Sequence, residues 1–279
     1  MTSQNTQIII DQFTKQAIPF SRMPAHSHEA ALKRMLEMSG VAEDDQVLDV
    51  ACGPGLVAMA FAGRVAHVSG IDITRAMVER ARELARQKNI GNVSFMTGDV
   101  SRLPFSEETF AAVITRYSLH HFHEQATILN EMTRVAKAGG VVMAVDMVLP
   151  ESKRMFYDGV ERMRDASHVR TLTVEEMQKA AREAKLSDLR AEFYRWEMEL
   201  ETLLKASFPV PGTEELIRKA FREDAGKDNL GVGAHWKDGR ICFSYPIMIL
   251  TGKKRTEASA GTHDGSYPDE TGSGCRAKD

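Results

Sequence analysis

Three carboxylates and a pair of glycines are the first residues whose types and spacing suggest chemistry. Asp49 lies in the strand that leads into a tight turn, four residues before the first of Gly53, Pro54 and Gly55, inside the stretch VLDVACGPGLVAMAFA (47–62). Asp72 closes HVSGID, and Asp99 lies in TGDVSRLPF (97–105). Carboxylates accept hydrogen bonds and attract cations. Glycine reaches backbone angles closed to other residues and lets a ligand approach the main chain. Together they suit a ligand that is cationic and rich in donors, whereas a pyrophosphate would want the reverse. Gly53, Gly55 and Ala58 also satisfy the nicotinamide pattern G-x-G-x-x-A, with Asp72 near the end of the next strand. That pattern has no use for a carboxylate at Asp49 or for a second acidic loop at 97–105.

A second group carries protons. RYSLHHFH (116–123) holds Arg116, Tyr117, His120 and His121, and RDASHVR (164–170) holds Asp165 and His168. Histidine exchanges protons near neutral pH, which makes His168 and His121 candidates for general-base work. Asp165 and His168 read either as a base with its orienter or as a charge cluster at a helix end. The LHH pair reads equally as packing. Near the N-terminus Phe13, Gln16 and Phe20 are either contacts to a bound molecule or packing between helices, and Tyr117 stands where a substrate would pass.

The elements that must position these residues follow from periodicity. Apolar runs at 47–50, 67–71, 93–96, 110–115 and 141–147 read as strands, and 56–62, 74–88 and 123–137 as helices, the last ending at Gly139 and Gly140. Strand and helix in alternation predict a parallel sheet with helices on both faces. Before it, helices at 7–16 and 27–38 are separated by Pro19 and Pro24, and Gly40 closes the second. After it come a helix at 152–164, a capping box of Thr173 and Glu176 opening another, and alternation at Leu189, Ala191 and Phe193. Residues 198–225 read as helical with a break at 209–212, and 247–251 as a last strand with Pro246 at its start. The organisation is a helical lid at 1–43, a main domain at 44–256 with insertions at 151–172 and 198–238, and a tail at 257–279 too polar to order. Met155, Phe156, Met163, Trp196, Phe208, Phe221 and Trp236 in or beside the insertions either wall an apolar pocket or form satellite cores.

Composition narrows the class of partner. The chain has 279 residues, 43% hydrophobic and 27% charged, with a net charge of -3 and a pI near 6.3. That balance argues against nucleic acid or an anionic membrane and for a small molecule. Cys52, Cys242 and Cys275 are widely spaced, with no CxxC pair to indicate zinc or a disulfide framework, so no metal is expected and a cytoplasmic setting is. No apolar run approaches the roughly 18 residues of a membrane span.

With these motifs the chain resembles the class I S-adenosylmethionine-dependent methyltransferases, particularly the small-molecule group that includes the ubiquinone and menaquinone C-methyltransferase-like enzymes. The resemblance is close over 45–147 and holds in outline over 180–254. It implies a Rossmann-like α/β fold with a seven-stranded, mostly parallel sheet, a helical N-terminal lid and inserted helices on the substrate side. It implies S-adenosyl-L-methionine as cofactor, with S-adenosyl-L-homocysteine as product. By resemblance Asp49 lies near the methionine amino group, Gly53 and Gly55 lie under the carboxylate and ribose, and Asp72 accepts from both ribose hydroxyls. Ile73 lies against the adenine, Asp99 and Val100 meet its edge, and the Arg116 main chain approaches the methionine moiety. Ala51 departs from the pattern, since many members carry glycine there. The activity implied is methyl transfer to a small-molecule acceptor, an aromatic or heterocyclic oxygen or carbon, with Phe13, Phe20 and Tyr117 as substrate contacts. The alternatives are a cofactor-binding protein without transfer and a methyltransferase acting on a macromolecule.

Overall fold

The structure, a computed structural model, describes residues 3–23 and 29–256. Pro24, the first residues of the second expected helix and the tail at 257–279 lie outside them. Eight strands form one sheet: β1 (Gln46–Val50), β2 (His67–Asp72), β3 (Val93–Thr97), β4 (Phe110–Arg116), β5 (Ala136–Met147), β6 (Leu186–Glu199), β7 (His235–Lys237) and β8 (Arg240–Lys254). The order is β3-β2-β1-β4-β5-β8-β6, with β7 pairing β8. The first five strands are parallel. β8 runs antiparallel to β5, β6 and β7. The seven-stranded expectation therefore gains one short strand, β7.

Chain order reverses at β1, which lies between β2 and β4, and such a switch opens a crevice at the carboxyl ends of the strands. Neighbouring residues of a strand point to opposite faces. Val47 accordingly joins the core with Phe61 and Val78, whereas Leu48 and Val50 join Ile128 and Met132 on the other face. Helices α3 (Leu56–Ala62) and α4 (Arg75–Gln87) supply the first face. Met77, Val78, Ala81, Leu84 and Ala85 of α4 are buried, the stripe its 3.6-residue period predicts. Helices α5 (Gln125–Val135) and α7 (Val174–Glu183) supply the second face. Two more, α1 (Ser3–Ser21) and α2 (Glu29–Ser39), form the N-terminal preface. The insertions contribute α6 (Glu151–Arg164), α8 (Leu200–Ser207) and α9 (Glu214–Asp224).

The Thr173 hydroxyl accepts from the Glu176 N–H at the start of α7, and the Glu176 side chain accepts from the Thr173 N–H. This is the capping box expected from the sequence. Thr173→Ala should cost about 1 kcal/mol, read as a fall in melting temperature of roughly 2–4 °C.

Several local expectations are corrected. Pro19 lies inside α1 rather than beyond it. It stands in the last turn, where the hydrogen bond its ring removes is one of few left to lose. Residues 136 and 137, expected to finish a helix, and Gly139 and Gly140, expected to close it, already belong to β5. Met198 and Glu199 end β6 instead of beginning a helix. Pro246 lies within β8, paired with Arg195 of β6. Its carbonyl accepts from the Val148 N–H, just past the end of β5. The side of Pro246 that lacks a donor thus faces the place where β5 runs out, and the β6 ladder stays whole.

Candidate functional site

The crevice at the β1/β4 switch holds a cavity of about 810 Å³. Asp49, one residue from the end of β1, is 2% exposed. Its Oδ2 accepts from the Ala58 N–H of α3 at 3.0 Å, a carboxylate set at a helix start. The turn between them runs through Ala51 (φ 54), Gly53 (φ 52) and Gly55 (φ 75). Asp72, at the end of β2, ties the turn down: Oδ2 accepts from the Gly53 N–H and Oδ1 from the Thr74 N–H, both at 2.8 Å. Ala51, Gly53, Ile73 and Val100 line the same cavity, and Arg116 enters from the end of β4. Ile9, Phe13 and Phe20 of α1 close it from above, as a lid would.

Two expected members stand elsewhere. Asp99 is exposed and its Oδ1 accepts from the Ser101 N–H at 2.8 Å, so it caps its own loop and only Val100 of that pair faces the cavity. Gly55 is not on the wall: a Cβ there would come within 2.7 Å of the Phe95 ring. Its glycine serves packing of the turn on β3, whereas a Cβ at Gly53 would meet nothing within 4 Å. Gly55→Ala should destabilise the fold by about 2–4 kcal/mol through overpacking and a strained φ. Gly53→Ala should cost the fold about 1 kcal/mol yet weaken S-adenosylhomocysteine binding at least tenfold by crowding the cavity. Thermal melting and calorimetry on the two variants would separate these effects.

A second cavity of about 830 Å³ adjoins the first, and Phe13, Phe20, Tyr117 and His121 face both. His120 and His168 line it too. His120 Nδ1 lies 2.8 Å from Asp146 Oδ1, and Asp146, near the end of β5, is fully buried. His168 Nε2 lies 2.8 Å from Asp158 Oδ1, which also accepts from the main chain and hydroxyl of Thr171. Asp165 is therefore not the orienter of His168; its carboxylate accepts from the Ser167 N–H instead. His121 turns its Nδ1 to the Ser167 carbonyl at 3.1 Å and packs edge-on to Phe13 at 5.1 Å. Tyr117 has φ 57 and its hydroxyl is 2.9 Å from that of Tyr194. The Arg116 guanidinium sits 5.0 Å from the centre of the Tyr117 ring.

Comparison with known proteins agrees with this geometry. Residues 47–140 match a family described as a methyltransferase domain. The chain is 30% identical over 150 residues to the uncharacterized protein YafE of Escherichia coli K12, a span covering 50% of this chain and 72% of that one. It is 27% identical over 251 residues to the uncharacterized methyltransferase YcgJ of Bacillus subtilis, covering 87% and 98%. The crystal structure of YcgJ superposes with a TM-score of 0.75 at 26% identity, over 82% of this chain and all of that one. A demethylmenaquinone methyltransferase of Staphylococcus aureus is 29% identical over 211 residues, covering 74% and 77%. The chain belongs to the class I S-adenosylmethionine-dependent methyltransferases.

In the methyltransferase, burial decides the charge state of each group and its neighbours then correct it. Burial pushes Asp49 up to about 7, against the opposing pull of Arg116 and the Ala58 N–H. Burial also raises Asp72, against the two backbone donors. A carboxylate raised in this way lacks a sufficient cationic partner, and a cation entering the cavity would supply one. Burial alone would depress His120, but the charge and hydrogen bond of Asp146, with Glu161 and Asp165 beyond, hold it above its ordinary value. Burial and then the neighbouring His120 drive His121 down to about 3. A ring so weakly basic is a poor proton acceptor, and His121 serves to join the 118–122 turn to the loop after α6.

The reach of the insertions also differs from expectation. Trp196 lines the second cavity. Met155, Phe156, Phe208 and Trp236 are exposed. Phe221 packs on Phe243 in the core, and Met163 lies half-buried against it. Asp146, Asp158, Glu161 and Arg164 were not singled out from the sequence. For Asp146 the signal was available: it is a carboxylate near the end of a buried strand, as Asp49 and Asp72 are.

Proposed function

We propose that this methyltransferase acts on a small molecule seated in the second cavity, an aromatic or heterocyclic compound methylated on oxygen or carbon. The observation that carries the reading is the junction of two cavities, one floored by a glycine turn and buried carboxylates, the other walled by aromatic rings and histidines. The relationship to a demethylmenaquinone methyltransferase supports a quinone-like ring as acceptor, and the net charge of -3 weighs against nucleic acid. Among the described residues no helix is long and apolar enough to cross a membrane.

The first cavity fits S-adenosylmethionine in its donor set. Asp49 would hold the ammonium group, Asp72 the ribose hydroxyls, and the bare backbone at Gly53 the close approach of the ligand. Ala51, Ile73 and Val100 would line its apolar parts, and the Arg116 main chain its methionine end. When bound, the cofactor supplies a methyl carbon already activated by positively charged sulfur. The protein's own task is then alignment and exclusion of water. Phe13 and Phe20 cover both cavities from α1. Gln12 and Gln16 of α1 each donate to the Ser207 carbonyl at 2.7 Å, which latches the helix down over them. Tyr117 stands between the cavities, where an acceptor would be steered.

Incubating the protein with tritium-labelled S-adenosylmethionine and a fractionated cell extract tests the proposal. Label should appear in the small-molecule fraction. Label confined to protein or nucleic acid would overturn the choice of acceptor, and cofactor binding without any transfer would favour a non-methylating role.

A further inference from the structure

Within the second cavity two histidines are presented in the same way. Each gives one ring nitrogen to a carboxylate, Nδ1 of His120 to Asp146 and Nε2 of His168 to Asp158. In the neutral form of each ring the carboxylate takes the N–H, which leaves the other nitrogen as an acceptor. These are His120 Nε2 and His168 Nδ1. The two rings are 5.5 Å apart between centres, tilted by 36°. His168 is 5% exposed, its ring lines the cavity and its Nδ1 has no hydrogen-bond partner in the protein. A buried acceptor left unpaired costs about 1–3 kcal/mol, so the site is built for a ligand that brings donors.

We propose, on the strength of the methyl-transfer reading, that His120 and His168 together grip two hydroxyl groups of one aromatic ring, His120 being the general base and Asp146 its orienter. The hydroxyl proton passes to His120 Nε2 while the O–H electron pair stays on oxygen, leaving a phenolate beside an imidazolium paired to Asp146. The second hydroxyl donates to His168 Nδ1. The groups facing His120 are Asp146 from β5, Glu161, Arg164 and Asp165 from α6 and its end, and His121 and His168. Arg164 is already engaged by Glu161, so the wall carries more negative than positive charge. A phosphate or carboxylate substrate is disfavoured there, and an uncharged polyhydroxy ring is favoured. The rings of Phe13, Trp196 and Tyr245 provide flat apolar surface for it.

The probe is 4-nitrocatechol, whose visible absorption reports its ionisation, titrated into protein saturated with S-adenosylhomocysteine. At a pH where the free compound is neutral, the bound compound should show the phenolate spectrum. In His120→Gln, and independently in Asp146→Asn, the bound probe's apparent pKa should rise by at least one unit, a tenfold loss of ionisation. His168→Ala should weaken binding about tenfold and keep the spectral shift. Failure of the wild-type protein to bind the probe overturns the proposal, as does equal binding of 4-nitroanisole, which has no hydroxyl donor. An unchanged spectrum in both His120→Gln and Asp146→Asn also overturns it. Calorimetry with S-adenosylhomocysteine on each protein separates the two readings, because loss of that signal in the wild type would strike the cofactor site rather than the histidine pair.

Discussion

Asp72→Ala should weaken S-adenosylhomocysteine binding by roughly 1–3 kcal/mol, about 5- to 150-fold. Two effects add. The carboxylate is the acceptor at the end of β2 proposed for the ribose hydroxyls, and a charged acceptor that leaves two donors unpaired costs more than a neutral one. The same two oxygens hold the Gly53 and Thr74 N–H groups at 2.8 Å. Their loss releases the glycine turn from its cradled shape, so the ligand must also order the backbone it binds. Asp72→Asn separates the contributions, because the amide keeps the side-chain shape and one acceptor oxygen. Calorimetry should rank wild type above Asn and Asn above Ala, with melting curves showing each variant folded. Unchanged affinity in Asp72→Ala would remove this residue from the cofactor site.

Glu161→Ala is the variant expected to harm the fold most. Glu161 is 8% exposed, and the Arg164 Nε donates to its Oε2 at 3.0 Å. Arg164 also donates to the Ser207 hydroxyl at 3.0 Å, on the same residue whose carbonyl receives Gln12 and Gln16. Removing the carboxylate leaves a buried guanidinium short of its main partner and loosens α6, α8 and α1 together. Breaking a buried pair from one side costs about 3–5 kcal/mol, and a fall in melting temperature of roughly 6–20 °C follows for a domain of this size. A Glu161→Leu, Arg164→Met double variant should recover much of the loss, since two apolar side chains leave no buried charge behind.

The pH dependence of this pair has a definite sign. Burial alone would raise Glu161, but the charge and hydrogen bond of Arg164, helped by His168 and His120, hold it at about 2, below its ordinary 4.5. A carboxylate depressed on folding stabilises the native state above its unfolded value and loses that contribution as the pH falls towards its folded value. The contribution, of order 3 kcal/mol from the size of the shift, is present at neutral pH and fades from about 4.5 to about 2. Wild type and Glu161→Ala should therefore converge in melting temperature over that interval. Parallel curves across it would refute this account of the pair.

Helix α1, the two cavities and the histidines that line them were legible to different degrees. The alternation of strand and helix from Gln46 to Met147 is written in local period, because each segment hides its own apolar face whatever its neighbours do. The residues proposed for the cofactor were legible for a related reason. Asp49, Gly53, Asp72, Ile73, Val100 and Arg116 each sit at the carboxyl end of a strand or within three residues past it, and in a wound parallel sheet strand ends converge on one rim. Gly55 and Asp99 escaped this logic, since sequence cannot tell a glycine facing ligand from one facing Phe95, or an aspartate facing a cavity from one capping its own loop.

Tertiary structure decided the rest, and the reason is distance along the chain. Asp146 and His120 are 26 residues apart, Tyr117 and Tyr194 are 77 apart, and Gln12 and Ser207 are 195 apart. No periodicity records such pairings. They depend on β5 lying beside β4, on β8 and β6 folding back along β5, and on α1 crossing both cavities. Even within one short span the sequence left the partner open: Asp165 is nearer to His168 along the chain, yet α6 turns Asp158 toward the ring. Local pattern chose the strands, the turn and the acids that rim the sheet. Long-range packing chose which acid meets which histidine, because a side chain's partner is set by the crossing of segments and not by its neighbours in sequence.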